Sequence, residues 1–248
     1  PVTPATPLLG AQSALSLTVH DTRAVFEDGL GGALDREEIL DKVMAGFGSL
    51  GNDHPIPPSD PFHAGDIPQR VYDPDKTAYH LKKSGFKGVL ELHTSNTTFG
   101  GAEAMAALFQ QSAAKGGLKV KIIREPADGF WSNVWMKHPF VSGAWGGRPT
   151  ADIMLSSAYA STAKWNDTNW YRKEFDQKLV LARAETDFDK RKAYYHDLQL
   201  MIHEDGGAAI PFFVNNVDGV RDEVKGFYPA GSYEMSGMRV AERVWLSK

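Results

Sequence analysis

The sequence contains no cysteine, so neither disulfide bonds nor thiolate metal sites are available to it. It also lacks any apolar run approaching the roughly 18 residues that a transmembrane helix requires. An excess of basic charge is missing as well, because 27 Lys and Arg stand against 31 Asp and Glu. The resulting net charge of −4 argues against nucleic-acid binding and against electrostatic docking on a membrane.

What remains is the composition of a folded protein. The 248 residues are 42% hydrophobic and 11% aromatic, enough to fill the core of one large domain or two small ones. Residues 1–20 are rich in Pro, Ala and Ser, and we predict that they are poorly ordered. The first residues lack a basic segment, so we interpret them as the start of a fragment or mature chain and not as a signal peptide.

Capping patterns predict where several helices begin and end. Asp35 is followed three residues later by Glu38, and Asp73-Pro74 combines an N-cap with a proline at the first helical position. Ser84-Gly85 is typical of a helix end. Further helices are predicted at 130–137, capped by Asp128, at 172–185 and at 188–204.

Residues 88–123 predict one strand–helix–strand unit. Residues 88–94 and 118–123 have strand-like patterns, and the helix 102–115 lies between them. Such a unit places two parallel strands side by side with a right-handed crossover, and we expect Leu108 and Phe109 to be buried on the sheet. Additional strands are predicted at 140–145 and 208–214, so the fold class is α/β.

The most informative stretch is 126–162, which contains Trp131, Trp135 and Trp145 but no nucleophile–base pair. Aromatic walls with a few polar groups suit the binding of a small polar molecule better than its cleavage. The eight histidines show no metal-ligand spacing, so no metal site is predicted. His196 and His203 are interpreted as surface residues of one helix.

From Asp35 onward the sequence resembles the C-terminal half of the periplasmic solute-binding proteins of peptide-type ABC transporters, family 5, which includes dipeptide, oligopeptide and nickel binders. The similar blocks lie in family order and together cover about residues 33–248. They comprise ALDREEILDKVMAGFG (33–48), GNDHPIPPSDPF (51–62), YDPDKTAYHLKKSGF (72–86), the segment 166–213, VKGFYP (224–229) and VWLSK (244–248).

This resemblance implies one lobe of a two-lobe, class II periplasmic-binding-protein-like fold. The implied organisation is an N-terminal segment 1–34, a ligand-binding α/β lobe 35–208, and a segment 209–248 that crosses back to a first lobe. It also implies a periplasmic protein without cofactor or catalysis. The implied partners are a small-molecule or short-peptide ligand and an inner-membrane ABC permease, and a lobe that exposes half of its cleft favours self-association.

The resemblance also implies where a ligand binds. In peptide-binding members, the loop after the Trp-bearing strand offers an acidic residue to the ligand's amino group, and here that position carries Arg148. An arginine binds carboxylate or phosphate, so the predicted ligand bears an anionic group. Alternatively, Arg148 forms an ion pair within the protein. Asp152 is a second candidate, which would receive an amine if the loop is shifted.

Other candidate ligand contacts come from the same loop and from a Pro-rich segment. Trp145, Gly147 and Thr150 belong to the loop, and the two glycines 146–147 permit close approach of the backbone to a ligand. Asn52 and His54 precede the prolines, where turn formation explains such residues equally well.

Two other classes of function stay open on the sequence. One is a hydrolase that uses a carboxylate pair from Glu91, Glu103 and Asp128 in an aromatic cleft. The other is a lobe that docks on a permease without contacting ligand.

Overall fold

The main sheet organises the fold. The computed structural model describes residues 2–4, 13–19, 30–228 and 233–247. The strands of the main sheet are β2 (Ser13–Val19), β3 (Gly48–Leu50), β4 (Leu90–Thr94), β5 (Val120–Arg124), β6 (Phe140–Trp145), β7 (Ala208–Ala209) and β8 (Phe212–Val214). Six of them lie in the order β3-β8-β2-β6-β4-β5, and β7 pairs with β2. The helices are α1 (Arg36–Met44), α2 (Pro74–Ser84), α3 (Ala102–Lys115), α4 (Phe130–Asn133), α5 (Ala151–Ala158), α6 (Lys173–Ala184) and α7 (Phe188–Asp205).

The predicted strand–helix–strand unit is confirmed. β4 and β5 are parallel, with Leu90 opposite Val120 and Thr94 opposite Arg124, and α3 connects them. Phe109 is fully buried in the core on this sheet, whereas Leu108 packs at its margin and is only partly buried. β6 is parallel to β4, and β2 runs antiparallel to β6.

β2 is the strand on which the sheet depends. It lies between β6 and β8 and also pairs with β7, so the chain's own N-terminal residues receive the apolar segment around 212–214. The prediction that residues 1–20 are poorly ordered is wrong for 2–4, which form a short strand, and for 13–19, which form β2. For residue 1 and residues 5–12 and 20, that prediction lies outside the described residues.

The predicted single strand 208–214 is two short strands. They are separated at Ile210-Pro211 because proline has no N–H to offer a ladder. The backbone groups here find other partners: the Ile210 N–H donates to Asp53 Oδ1 at 2.7 Å, and the Gly51 N–H donates to the Pro211 carbonyl at 2.9 Å. The chain around residue 51 therefore lies directly against this break.

The helix-capping predictions hold at three of four sites. The Asp35 and Asp73 carboxylates accept from the N–H groups of Glu38 and Lys76 at 3.0 and 2.8 Å, and α2 ends at Gly85 in the left-handed region. The predicted helix 130–137 is wrong in length, because α4 ends at Asn133. Its N-cap is Gly129 and not Asp128, so it begins without a side-chain cap.

A second hydrophobic cluster holds the C-terminal helices together. Phe175 and Leu179 of α6 and Leu198 and Ile202 of α7 are buried with Leu155 of α5. Trp145, at the end of β6, packs against this cluster and also against Ile210 and Phe213. The end of β6 is therefore the point where the sheet meets the helical layer.

Two small sheets lie apart from the main one. β1 (Val2–Pro4) pairs antiparallel with β9 (Gly219–Arg221), and β10 (Val224–Lys225) pairs with β11 (Trp245–Leu246). The short strands predicted for the last 30 residues are thus present, and they are accompanied by a helical turn at Val240–Glu242.

Candidate functional site

The loop after β6 presents an arginine against an aromatic ring. The guanidinium carbon of Arg148 lies 5.4 Å from the centroid of the Trp145 ring, and its Nη1 donates to the Gly146 carbonyl at 2.8 Å. The side chain is half-buried and folds back along the loop, although the following Pro149 favours an extended backbone. In the described part of the chain no carboxylate pairs with it, so its remaining donors are available to an anion.

Three further tryptophans extend this surface. The rings of Trp131, Trp135, Trp145 and Trp165 follow one another with centroid distances of 5.6, 6.5 and 6.4 Å, all steeply inclined. We call these four residues the tryptophan cluster. Trp131 and Trp165 are 45% and 52% exposed, so the two ends of the cluster offer aromatic faces to solvent. Exposed aromatic faces beside a charged group are typical of a site that holds a small polar molecule.

A buried carboxylate anchors the cluster from behind. Asp167 is 2% exposed, and its Oδ2 accepts from the indole N–H groups of Trp135 and Trp145 at 3.0 and 3.1 Å. Burial raises the pKa of Asp167 to about 6, and the two indole donors offset this only in part. Asp167 was not predicted from the sequence, where the available signal was that a partly buried tryptophan N–H usually finds an acceptor.

The neighbouring Asn166 holds that carboxylate's loop in shape. Its side-chain amide donates to the carbonyls of Tyr159, Ala160 and Trp170 at 3.3, 3.3 and 2.8 Å. Its side-chain oxygen accepts from the Thr168 hydroxyl at 3.1 Å. Asp167 is therefore fixed by its own loop and does not depend on a ligand for its position.

The other predicted loop residues serve the helix that follows. The Thr150 hydroxyl caps α5 by accepting from the Ile153 N–H at 3.3 Å, and Gly147 is buried. Asp152 accepts from Arg183 Nε at 3.1 Å, which ties α5 to α6. Asp152 thus already has a cationic partner, and Arg148 is the better placed of the two charged candidates.

Asn52 and His54 are not brought to this surface. They are 7% and 1% exposed, and the Asn52 amide donates to the carbonyls of Ile67 and Pro68 at 3.2 Å each. The Asn52 carbonyl also lies 2.7 Å from Nδ1 of His203, which is half-buried. Among the residues that the structure describes, neither ring nitrogen of His54 has a hydrogen-bond partner. Burial, and then the nearby His63, lower the pKa of His54 to about 3, so its ring is neutral.

Two of the three candidate hydrolase carboxylates form surface ion pairs. Glu91 accepts from Lys121 at 2.7 Å and Glu103 accepts from Arg124 at 2.9 Å. The hydrogen bond from Lys121 lowers the pKa of Glu91, which is the opposite of what a general acid needs. Their arrangement does not resemble an acid–base pair in a cleft.

A cavity of about 660 Å³ lies elsewhere, between the segment 67–73 and the end of α7. It is lined by charges of both signs, including Arg70, Lys76 and Asp205. Asp205 already accepts from the Trp170 indole at 3.0 Å and pairs with Arg172. The cavity therefore lacks the single-signed or aromatic lining that distinguishes the loop after β6.

The α/β sheet with its helical layer has the fold of the periplasmic-binding-protein class. Residues 28–167 match the bacterial extracellular solute-binding proteins, family 5, over their middle region. The chain belongs to this family. Within the described residues, no helix has both the length and the apolar character needed to cross a membrane.

The relatives agree on fold and on coverage. The dipeptide-binding protein of Escherichia coli (strain K12) is 27% identical over 223 residues, which are 84% of this chain and 41% of that protein. The substrate-binding protein CtaP of Listeria monocytogenes superposes with a TM-score of 0.85 at 18% identity, covering all of this chain and 52% of that one. The oligopeptide-binding protein AppA of Bacillus subtilis, solved with a nonapeptide, gives 0.80 at 18% identity over 100% and 52%.

The chain spans about half the length of the relatives that it matches. It has the α/β fold of the family-5 binding proteins, as the resemblance implied.

Proposed function

We propose that this chain is the ligand-binding lobe of the substrate-binding component of a peptide-type ABC importer. It works in the periplasm, delivers its ligand to an inner-membrane permease and carries out no chemistry. Membership of a family of extracellular solute-binding proteins supports this proposal. So does the dipeptide-binding protein among its relatives.

The observation that carries the proposed site is the Arg148 guanidinium over the Trp145 ring. The ring and the Gly146 carbonyl hold the guanidinium while most of its N–H groups stay unused, and the tryptophan cluster continues the surface on one side. Because a guanidinium binds a carboxylate through two parallel hydrogen bonds, the proposed ligand is a short peptide or similar polar molecule with an anionic group at this point.

The proposed domain organisation follows the same frame. Residues 35–208 form the ligand-binding lobe, residues 1–34 precede it, and residues 209–248 lead back to a second lobe. From outside these bounds, β2 (13–19) and β8 (212–214) add two strands to the lobe's sheet. The pairing of β1 with β9, away from the main sheet, supports a separate role for the two chain ends. This lobe alone would contact only one face of a ligand that two lobes together enclose. We therefore expect the chain to bind its ligand weakly on its own.

Tryptophan fluorescence tests the proposal directly, because the expected ligand lies against Trp145 and Trp165. We would titrate the 248-residue chain with alanyl-aspartate and, as a matched control, with alanyl-alaninamide, which carries no carboxylate. The expected result is a saturable change with alanyl-aspartate at about millimolar concentration, corresponding to about 4 kcal/mol of binding free energy, and a much weaker change with the amide.

Three results would contradict the proposal. Equal responses to both peptides would remove the anion requirement, and hydrolysis of either peptide, followed by chromatography, would indicate an enzyme. Absence of any saturable response up to about ten times that concentration would remove the site itself.

A further inference from the structure

Two histidines and a glutamate meet at one edge of the main sheet. His93 Nδ1 lies 2.6 Å from Glu125 Oε1, and the rings of His93 and His138 are stacked with centroids 3.8 Å apart and planes inclined by 22°. One ligand atom from each of the three residues lies within 4.8 Å of the other two. His93 is 8% exposed, and the other two side chains are partly buried.

The strand arrangement is what brings the three residues together. His93 is near the carboxyl end of β4, Glu125 directly follows β5, and its N–H donates to the Thr94 carbonyl at 2.8 Å. His138 precedes β6, whose Val141 lies opposite His93. Because β5 and β6 flank β4 in parallel, their residues at this level meet around His93. No short sequence motif records this meeting.

We propose that His93, His138 and Glu125 bind a divalent transition-metal ion, with Zn²⁺ as the reference case. Two imidazoles and one carboxylate form a donor set that suits Zn²⁺, Ni²⁺ or Cu²⁺ and suits Mg²⁺ poorly. An ion about 2.0–2.2 Å from each donor requires the donors to lie within about 4.4 Å of one another. Small side-chain rotations from the present geometry meet that requirement.

A simple ion pair between His93 and Glu125 accounts for only part of this arrangement. It leaves unexplained why a second imidazole is stacked on the first, at a position where both rings can turn a nitrogen toward one point. A three-ligand set also leaves a fourth position open to water or to an external ligand atom.

The surrounding charges favour a cation here. The nearby cations Lys121 and Arg124 each already pair with a carboxylate, Glu91 and Glu103 respectively. Glu91 lies two residues before His93 on β4 and therefore on the same side of the sheet. Because those two ion pairs are neutral overall, Glu125 gives these residues one net negative charge, which reduces the cost of bringing a dication to the two imidazoles.

Calorimetry with Zn²⁺ on the 248-residue chain, first stripped with a chelator, tests this site. We expect one ion per chain, absence of binding with Mg²⁺, and a visible spectrum with Co²⁺ typical of four or five ligands including nitrogen. His138→Ala and Glu125→Gln should each weaken Zn²⁺ binding by more than the ~10–100-fold typical of losing an outer-shell partner. His196→Ala, on α7, is the matched control and should leave the affinity unchanged.

Folding and the peptide site are monitored separately. Circular dichroism of each variant checks that the chain is folded, and histidine ring NMR signals of the unsubstituted chain should report Zn²⁺ at two imidazoles. No Zn²⁺ binding, or binding that both variants leave intact, would overturn the proposal. The alanyl-aspartate titration should be unchanged in His138→Ala, so failure of one site is distinguishable from failure of the other.

Discussion

The Arg36 guanidinium donates through Nη2 to both carboxylate oxygens of Asp53 at 2.8 Å, and the two residues are only 3% and 1% exposed. Arg70 adds a third contact to the same carboxylate at 3.0 Å, and the Ile210 N–H adds a fourth at 2.7 Å. Burial acts to raise the pKa of Asp53, but the charges of Arg36 and Arg70 outweigh it and hold that pKa below its usual range. This buried ion pair joins α1 to the break between β7 and β8.

Removing one partner of this pair should be costly. Arg36→Ala leaves a buried carboxylate with less compensation, and we expect unfolding free energy to fall by about 3–5 kcal/mol. The matched control is Lys121→Ala, which removes an exposed ion pair with Glu91 and should cost less than about 1 kcal/mol. Urea denaturation measures both, and comparable losses in the two variants would refute the assigned role of burial.

The backbone at Gly51 leaves no room for a side chain. A Cβ at this position would lie 2.2 Å from the Ile210 carbonyl oxygen, so Gly51→Ala must displace the strand break. We expect a loss of about 1–3 kcal/mol in unfolding free energy. Gly100→Ala is the control, since nothing lies within 4 Å of its Cβ position. Thermal denaturation in which the two variants behave alike would contradict this packing.

Asp167 should make the protein less stable as pH rises. Its folded pKa of about 6 exceeds the unfolded value of about 3.9, so the folded chain holds the proton more tightly. The contribution to stability is therefore present below about pH 4 and is lost as pH rises through 6, on the order of 3 kcal/mol in all.

The isosteric variant Asp167→Asn isolates this effect. It retains an oxygen for the two indole N–H groups but cannot ionise, so it should be more stable than the unsubstituted chain at pH 8 and nearly equal at pH 4. Tryptophan emission should titrate near pH 6 in the unsubstituted chain only. The same midpoint in Asp167→Asn would assign the titration to another group.

His54 should act in the opposite direction. Its folded pKa of about 3 lies below the unfolded value of about 6.5, so the unfolded chain binds the proton more tightly. Stability is complete above pH 6.5 and should decline below it by up to about 1.4 kcal/mol per pH unit. His54→Leu should flatten that decline when urea midpoints are compared from pH 7 to pH 4, whereas the control His80→Leu should retain it.

Arg148 should matter for binding and little for folding. Arg148→Ala removes a charge-assisted contact of roughly 1.5–3 kcal/mol, so the affinity for alanyl-aspartate should fall by about 10- to 150-fold. Arg148→Lys should restore only part, because an ammonium lacks the planar fork. Calorimetry gives the affinities, and a large drop in the melting temperature without ligand would show a structural role for Arg148 instead.

Local signals predicted the elements that depend on neighbouring residues. Asp35 and Asp73 cap helices because a side-chain oxygen three residues before a free N–H needs no tertiary help. The interruption of the strand at Ile210-Pro211 was not predicted, because the run of apolar residues favoured one continuous strand although proline has no N–H. The contact of Arg148 with the Trp145 ring was not predicted either, because nothing in the sequence sets the direction of that side chain.

The parts of the site that escaped prediction all depend on distant residues. Asp167 meets Trp135 across 32 positions and Trp145 across 22. Glu125 meets His93 across 32. In these cases the spacing along the chain does not show whether a side chain has a hydrogen-bonding partner or is solvated. Only the tertiary structure determines which residues come into contact.

The position of β2 also governs the order of assembly. Without residues 13–19, the main sheet separates into β3–β8 on one side and β6–β4–β5 on the other, because β2 alone joins them. Its partners end at residue 214, about 200 positions later. During synthesis β2 can pair with β6 once residue 145 has emerged, but its other edge stays unpaired until residues 208–214 follow, so closure of the sheet is a late event and a slow one.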